Sequence, residues 1–198
     1  MSKTFILAIT GASGVIYARK ILQGLSAARC RVYLVISPAG RRILHDELGL
    51  EHPGPDALLG EAMPHDIIHL PYNDIGACIA SGSFPTDGMI IAPCSSNKLA
   101  ETAHGLGDNL IARAAQVTLK ERRLLILLHR EMPIGLIEIR NMAQLVEAGG
   151  IICPASPGFY KNPQNIDDLV AMVAGRVLDL AGVPHKWNTR WMGAGAAR

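Results

Sequence analysis

Met89-Ile90-Ile91-Ala92-Pro93-Cys94-Ser95-Ser96-Asn97-Lys98 and, after an intervening helical run, Leu124-Leu125-Ile126-Leu127-Leu128-His129-Arg130-Glu131-Met132-Pro133 decide how this chain folds. Met89 to Ala92 and Leu124 to Leu128 are apolar without polar alternation, the pattern of strands buried on both faces. Each run gives way at its C-terminal end to polar, reactive residues: Ser-Ser-Asn-Lys after the first, His-Arg-Glu after the second. Open parallel α/β sheets bind ligands outside the carboxyl ends of their strands. Hydroxyls, an amide, two cations and a carboxylate are therefore expected around one crevice, a mix suited to a phosphorylated, partly polar ligand.

Outward from this stretch, strands and helices alternate. Thr4 to Thr10 reads as a strand, Gly11-Ala12-Ser13-Gly14 as a turn, and Val15 to Ala28 as a helix. Arg31 to Ile36 is a second strand, and Ala39 to Leu48 a helix with Pro38 suited to its first turn. Glu51 to Pro64 reads as loop with room for a helical turn, and Asp66 to Leu70 as a short strand. Asp108 or Asn109 can cap a helix running to Lys120, and Glu138 to Ala148 form another, closed by Gly149-Gly150. Ile151 to Cys153 is a further strand, and Asn165 or Asp167 opens the last helix. The alternation implies an α/β fold with a doubly wound parallel sheet in a single domain, residues 1–192, with a mobile Gly/Ala tail at 193–198.

The 198 residues are 49% hydrophobic and 18% charged, enough for a sizeable core and not a disordered composition. A net charge of +2, with no basic run, gives no sign of nucleic-acid binding. No apolar run approaches the roughly 18 residues needed to span a bilayer. The strand starting at Thr4 leaves no room for a signal peptide, so a cytoplasmic location is expected. Cys30, Cys78, Cys94 and Cys153 are widely spaced, and neither they nor the seven histidines have metal-ligand spacing, so no metal is predicted.

Thr10-Gly11-Ala12-Ser13-Gly14 follows the first strand as a Rossmann phosphate loop would, but Ser13 stands where G-x-G-x-x-G needs its second glycine. The second strand ends in Ser37 instead of the acidic residue that holds a ribose, and there is no G-K-[ST]. Hydroxyls at Ser13 and Ser37 fit the terminal phosphate of a mononucleotide better than NAD. On turn chemistry alone, a ligand loop and a plain structural turn are both open.

Several residues have a bland reading beside the functional one. Arg130-Glu131 would ordinarily be a surface ion pair, but its place at a strand's C-end favours function. Lys120 belongs to a charge cluster at a helix end, where cations complement the dipole. Ser95-Ser96 can cap the next helix, and the same groups make an anion site. Cys94 reads as a packed thiol and His104 as a helix-end histidine or a catalyst. Tyr160 and Arg176, taken alone, read as structural. Trp187 and Trp191 are expected either to pack on the parent domain or to cover a neighbouring subunit.

Taken together, Gly11-Ala12-Ser13-Gly14, Ser81-Gly82-Ser83-Phe84, Thr86-Asp87-Gly88-Met89, Pro93-Cys94-Ser95, Leu119-Lys120-Glu121, Arg130-Glu131-Met132-Pro133, Asn141-Met142 and Phe159-Tyr160 resemble flavin prenyltransferases of the UbiX type. The resemblance runs over residues 4–191 and is thinnest between Leu50 and Ile79. It implies a Rossmann-like, flavodoxin-related fold, a homo-oligomer built as a dodecamer, and transfer of a dimethylallyl group from dimethylallyl phosphate to reduced FMN. The prenylated flavin would serve a partner decarboxylase. FMN would meet Gly11, Ala12, Ser13, Ser37, Ser95, Ser96, Asn97, Lys98 and Arg130. The prenyl phosphate would meet Lys120, Tyr160 and Arg176 with Glu131 beside it, while Ser13 and Glu47 relay protons and Trp191 walls the prenyl group. Ser95-Ser96-Asn97-Lys98 departs from the Ser-Met-Lys-Thr of some members. Two competing readings are an FMN-dependent decarboxylase of cysteine-derived substrates and a non-enzymatic FMN-binding accessory subunit. The first would carry Pro-Ala-Ser-Ala-Asn-Thr at residues 93–98 and a histidine near the first helix, and neither is present.

Overall fold

A strand such as β1 (Thr4–Ile9), with five apolar residues in a row, is stable only when covered on both sides. The computed structural model, which describes residues 2–60, 66–187 and 189, supplies that cover. Phe5, Leu7 and Ile9 enter one core with residues of α1 (Val15–Ala27) and α7 (Ile166–Leu180). Ile6 and Ala8 enter a second core with α5 (Leu110–Lys120). The apolar runs at residues 89–92 and 124–128 divide in the same way. Ile90, Ala92, Ile126 and Leu128 join the first core, and Met89, Ile91, Leu125 and Leu127 the second.

The described residues form six strands: β1, β2 (Arg31–Ile36), β3 (Ile67–Leu70), β4 (Gly88–Cys94), β5 (Leu124–His129) and β6 (Ile151–Pro154). They lie in the order β3-β2-β1-β4-β5-β6, every neighbouring pair parallel, which is the doubly wound arrangement expected. The chain builds outward from β1 through β2 and β3, then returns to the other side of β1 with β4. The connections leaving β1 and β4 therefore diverge, and a crevice opens between them at the carboxyl edge.

Caps place the helices around that crevice. Ser37 Oγ accepts the Gly40 N–H at 2.9 Å and starts α2 (Pro38–Leu48), with Pro38 in its first turn as expected. Ser95 Oγ accepts the Lys98 N–H at 3.3 Å and starts α4 (Ser96–Ala103). Asn109 caps α5, and Asn165 with Asp168 forms a capping box for α7.

Three local differences from the sequence expectation have physical causes. A short α3 (Pro55–Leu59) occupies part of the expected loop, beginning at a proline and ending at Gly60 in the left-handed region. In α6 (Leu136–Glu147), Glu138 does not begin the helix. Its carboxylate accepts the Gly135 N–H at 3.0 Å and acts as the cap, so the helix starts two residues earlier. A 3-10 turn at Cys78–Ala80 had no counterpart in the expectation.

Trp187 packs half-buried against the first core with the Lys20 ammonium 5.4 Å from its ring centroid, so it covers its own domain. Trp191 and the expected 193–198 tail lie outside the described residues. Among the described residues, no helix is long and apolar enough to cross a membrane.

Candidate active site

Three strands end at the crevice in a hydroxyl: β1 runs into Thr10, β2 into Ser37 and β4 into Ser95. Thr10 ties two of these ends together, its Oγ1 donating to the Pro93 carbonyl at 2.7 Å and accepting the Ser95 N–H at 3.0 Å. The result is a cleft of about 490 Å³, within the range of small-molecule sites. Gly11 lets the β1–α1 turn approach the start of α2, because a Cβ there would lie 2.5 Å from the Ala39 Cβ. Lys98 forms one wall. It is only 4% exposed, paired with Glu101 and donating to Asn109 Oδ1 at 3.2 Å, and its ammonium lies 5.5 Å from the Tyr72 ring centroid. A lysine this buried requires such a counter-charge.

The first helix has an unusual start. Gly14, with φ 100°, has no side chain to cap α1. Glu47, near the end of α2, does so instead. Its Oε1 and Oε2 accept the Gly14 N–H at 3.1 and 3.0 Å, and Oε2 accepts the Val15 N–H at 3.1 Å. A carboxylate thus fills the position in which a helix N-terminus would otherwise bind a phosphate. Ala12 is buried within this turn, and Ser13 is exposed on it.

On the rim of the same cleft stands Glu131. Its Oε2 accepts the Ser96 hydroxyl at 3.0 Å, and its Oε1 accepts the Met132 N–H at 3.2 Å. The Ser96 bond first, then the Met132 N–H, with Arg130 and His129 adding, hold this carboxyl below the usual range, so it is ionised at neutral pH. His129 Nε2 lies 3.3 Å from the same Ser96 Oγ. Burial pushes the imidazole's pKa down, and Arg130 adds to this against the opposing pull of Glu131 and Glu138. Arg130 is half-buried, and its Nε has no hydrogen-bond partner among the described residues.

A second cleft, of about 310 Å³, lies beyond β6 against α7 and is lined by Tyr160, Arg176, Cys153 and Met172. Burial pushes the Cys153 thiol up, with Arg176 opposing. The Tyr160 hydroxyl donates to the Thr189 carbonyl at 3.4 Å.

The structure thus brings Gly11, Ser37, Ser95, Ser96, Asn97 and Lys98 to one cleft, with Glu131 on its rim. Ala12, Ser13 and Glu47 belong to the adjoining turn, Arg130 sits beside Glu131, and Tyr160 and Arg176 share the second cleft. Lys120 is not brought in. It ends α5, beside Glu121 and Gly82, where the chain turns into the start of β5. The six residues of β5 separate it from Glu131 by about 20 Å. Sequence reasoning overlooked Glu101 and Tyr72 as cleft residues, Asn109 as a partner of Lys98 and Thr10 as the tie between strands. Thr10 did carry a signal, since it is a hydroxyl at a strand's C-end like Ser37 and Ser95. Among the described residues, no three His, Cys, Asp or Glu side chains gather as a metal site.

The donor set fits a phosphate-bearing mononucleotide such as FMN: serine-capped helix starts at the cleft, small residues on its wall and an orphaned guanidinium nitrogen beside it. Comparison with known proteins points the same way. The family model described as Flavoprotein matches residues 1–178. The flavin prenyltransferase UbiX of Neisseria meningitidis serogroup B is 42% identical over 193 residues, which cover 98% of each chain. Among solved structures, AnUbiX (PadA1) in complex with FMN and dimethylallyl pyrophosphate is 36% identical with a TM-score of 0.85, over 96% of this chain and 100% of its own. A dodecameric FMN-dependent UbiX-like decarboxylase from Escherichia coli O157:H7 is 37% identical with a TM-score of 0.88, over the same 96% and 100%.

Proposed function

We propose a function from one premise: the chain belongs to the UbiX-type flavin prenyltransferase family. It transfers the dimethylallyl group of dimethylallyl phosphate to reduced FMN and is a metal-independent prenyltransferase. The single observation that carries the mechanism is Glu131, an ionised carboxylate held at both oxygens on the rim of the cleft.

In this reading the cleft holds FMN as a substrate through Gly11, Ser37, Ser95 and Asn97, with Arg130 donating from beside Glu131. Reduced FMN, when bound, supplies the nucleophilic ring atoms. Tyr160 and Arg176 hold the prenyl phosphate in the second cleft and stabilise the charge that grows on it as the carbon–oxygen bond breaks. Glu131 begins as the base, takes the proton released when the new bond forms, and passes it to the departing phosphate. Ser13 stands close enough in sequence to the Glu47-held turn to assist a second proton transfer, and Trp191 is proposed as the wall around the prenyl group.

Lys120 takes part from a neighbouring copy. Its distance from Glu131 within one chain supports this, as does the apolar surface after β5, where Met132 is 86% exposed and Ile137 73%. A symmetric homo-oligomer, as in the dodecameric relative, would bury that surface and bring one chain's Lys120 to the next chain's Glu131. The prenylated flavin then passes to a prenylated-flavin-dependent decarboxylase. Four free cysteines are in keeping with work in the reducing cytoplasm.

The test is incubation of the protein with reduced FMN and dimethylallyl phosphate under anaerobic conditions, followed by mass analysis of the flavin. A flavin heavier by one five-carbon unit is expected. Unmodified flavin, with FMN bound and the prenyl phosphate intact, would overturn the reading in favour of an accessory FMN-binding subunit. Release of carbon dioxide from a cysteine-derived substrate would favour the decarboxylase.

A further inference from the structure

His129 is 3% exposed at the C-terminal end of β5, an internal strand of the sheet, flanked by Cys94 on one side and Pro154 on the other. A packed apolar side chain would serve the core as well as an imidazole there, so its polar contact calls for a reason. That contact is Ser96. The Ser96 hydroxyl has no duty as a helix cap, since Ser95 already caps α4, and it faces Glu131 on one side and His129 Nε2 on the other.

Donor counting fixes the direction of the chain. An ionised carboxylate only accepts, so Ser96 gives its one hydrogen to Glu131 Oε2. Ser96 can then meet the imidazole only as an acceptor, which puts a hydrogen on His129 Nε2. The polarity runs from His129 through Ser96 to Glu131. We propose that Ser96 and His129 are positioning residues that form, with Glu131, a hydrogen-bonded relay orienting the Glu131 carboxylate and keeping it ready to accept a proton. It follows that the only hydroxyl hydrogen of Ser96 serves Glu131 and not the flavin.

The charges around the relay are few. Arg130 adjoins it on the chain after β5, Glu138 faces His129 from α6, and β4 contributes only the buried Cys94 thiol, whose pKa burial raises. Of the influences that lower the Glu131 carboxyl, the Ser96 bond is the largest and His129 among the smallest. Loss of Ser96 therefore raises its titration midpoint more than loss of His129 does.

The role in turnover rests on the prenyl-transfer reading, whereas the relay itself does not, so the test has two arms. In the ligand-free oligomer, the carboxylic-acid infrared band that disappears in Glu131→Gln is titrated in wild type, Ser96→Ala, His129→Leu and His129→Gln. The midpoint should move up in Ser96→Ala, move up by less in His129→Leu, and stay near wild type in His129→Gln, whose amide keeps a donor towards Ser96. An unchanged midpoint in Ser96→Ala overturns the relay. So does a His129→Gln midpoint that follows His129→Leu, because the donor would then be irrelevant. Leucine matches the apolar surroundings, and Ser96→Ala decides the matter even if His129→Leu misfolds. In the second arm, Ser96→Ala should slow single-turnover prenyl transfer about tenfold, with the acid limb of its pH profile moved upward. A wild-type profile overturns the positioning role. If wild type itself transfers no prenyl group, the functional reading fails and the infrared arm still decides the relay.

Discussion

In the cleft between β1, β2 and β4, Thr10, Ser37, Ser95 and Lys98 each meet a partner from the same chain. The cleft beyond β6, by contrast, leaves Tyr160 53% exposed, Phe159 beside it 70% exposed and Arg176 at the surface. The first is finished by folding, because strand ends, helix caps and an internal ion pair fix its walls before any ligand arrives. The second is a partial surface whose proposed lysine sits at the far end of β5. On the proposed function, the contrast teaches that one fold completes its nucleotide site alone and leaves the site for the phosphate leaving group to be completed by assembly.

The strongest way to break this contrast is at Glu131, on the rim of the first cleft. Glu131→Gln keeps the shape and cannot pass a proton, so the first flavin–prenyl bond should form at least about a hundredfold more slowly. FMN and dimethylallyl phosphate should bind as before. Rapid mixing of reduced, flavin-loaded protein with substrate reads the rate, and an unaltered rate would remove Glu131 from the proton path.

Assembly comes next. Lys120→Ala and Glu131→Gln chains, each nearly inactive alone, should recover activity at about a quarter of the sites when unfolded together and reassembled, if each site draws the two residues from different copies. No recovery would rule out a site that draws Lys120 and Glu131 from different copies. The finished cleft can be challenged at Gly11. An added Cβ meets the Ala39 Cβ at 2.5 Å, so Gly11→Ala should weaken FMN binding about tenfold by pushing α2 outward. Calorimetric titration with FMN measures it, and the Tyr160 cleft should be untouched. The smallest effect is expected at Ser37→Ala, which loses the α2 cap at a cost of about 1 kcal/mol, read by denaturant unfolding.

The sheet was legible because β4 and β5 lack any polar alternation, which leaves burial on both faces as the only stable outcome. Ser37 and Ser95 at strand ends were legible as well, since polar residues that interrupt such runs must face the edge. Partnerships across strands were not. Ser96 and His129 are 33 positions apart and meet because β4 pairs with β5 in the register that sets Cys94 opposite His129. The position of Lys120 at the far end of β5 was not legible. A helix joining parallel strands runs back to the opposite edge, so its last residue is carried away from the crevice that its first residue faces. Tyr72 lies in the stretch where the resemblance is thinnest, and only the folded chain brings its ring to the Lys98 ammonium.

Glu47 can be viewed as a ligand the protein carries on itself. A dinucleotide lays its pyrophosphate on the N-terminus of the first helix, and here that terminus is occupied by a carboxylate bonded to the Gly14 and Val15 N–H groups. A competitor tethered this way acts at an effective concentration of about millimolar or more, never diffuses off, and repels any incoming pyrophosphate by its charge. On the proposed function, FMN, whose single phosphate would have the serine-capped starts of α2 and α4 available, would escape the competition, while NAD and FAD would have to displace the carboxylate. Removing the tether in Glu47→Ala would vacate an anion-binding helix end, and the discrimination between mononucleotide and dinucleotide should narrow as a result.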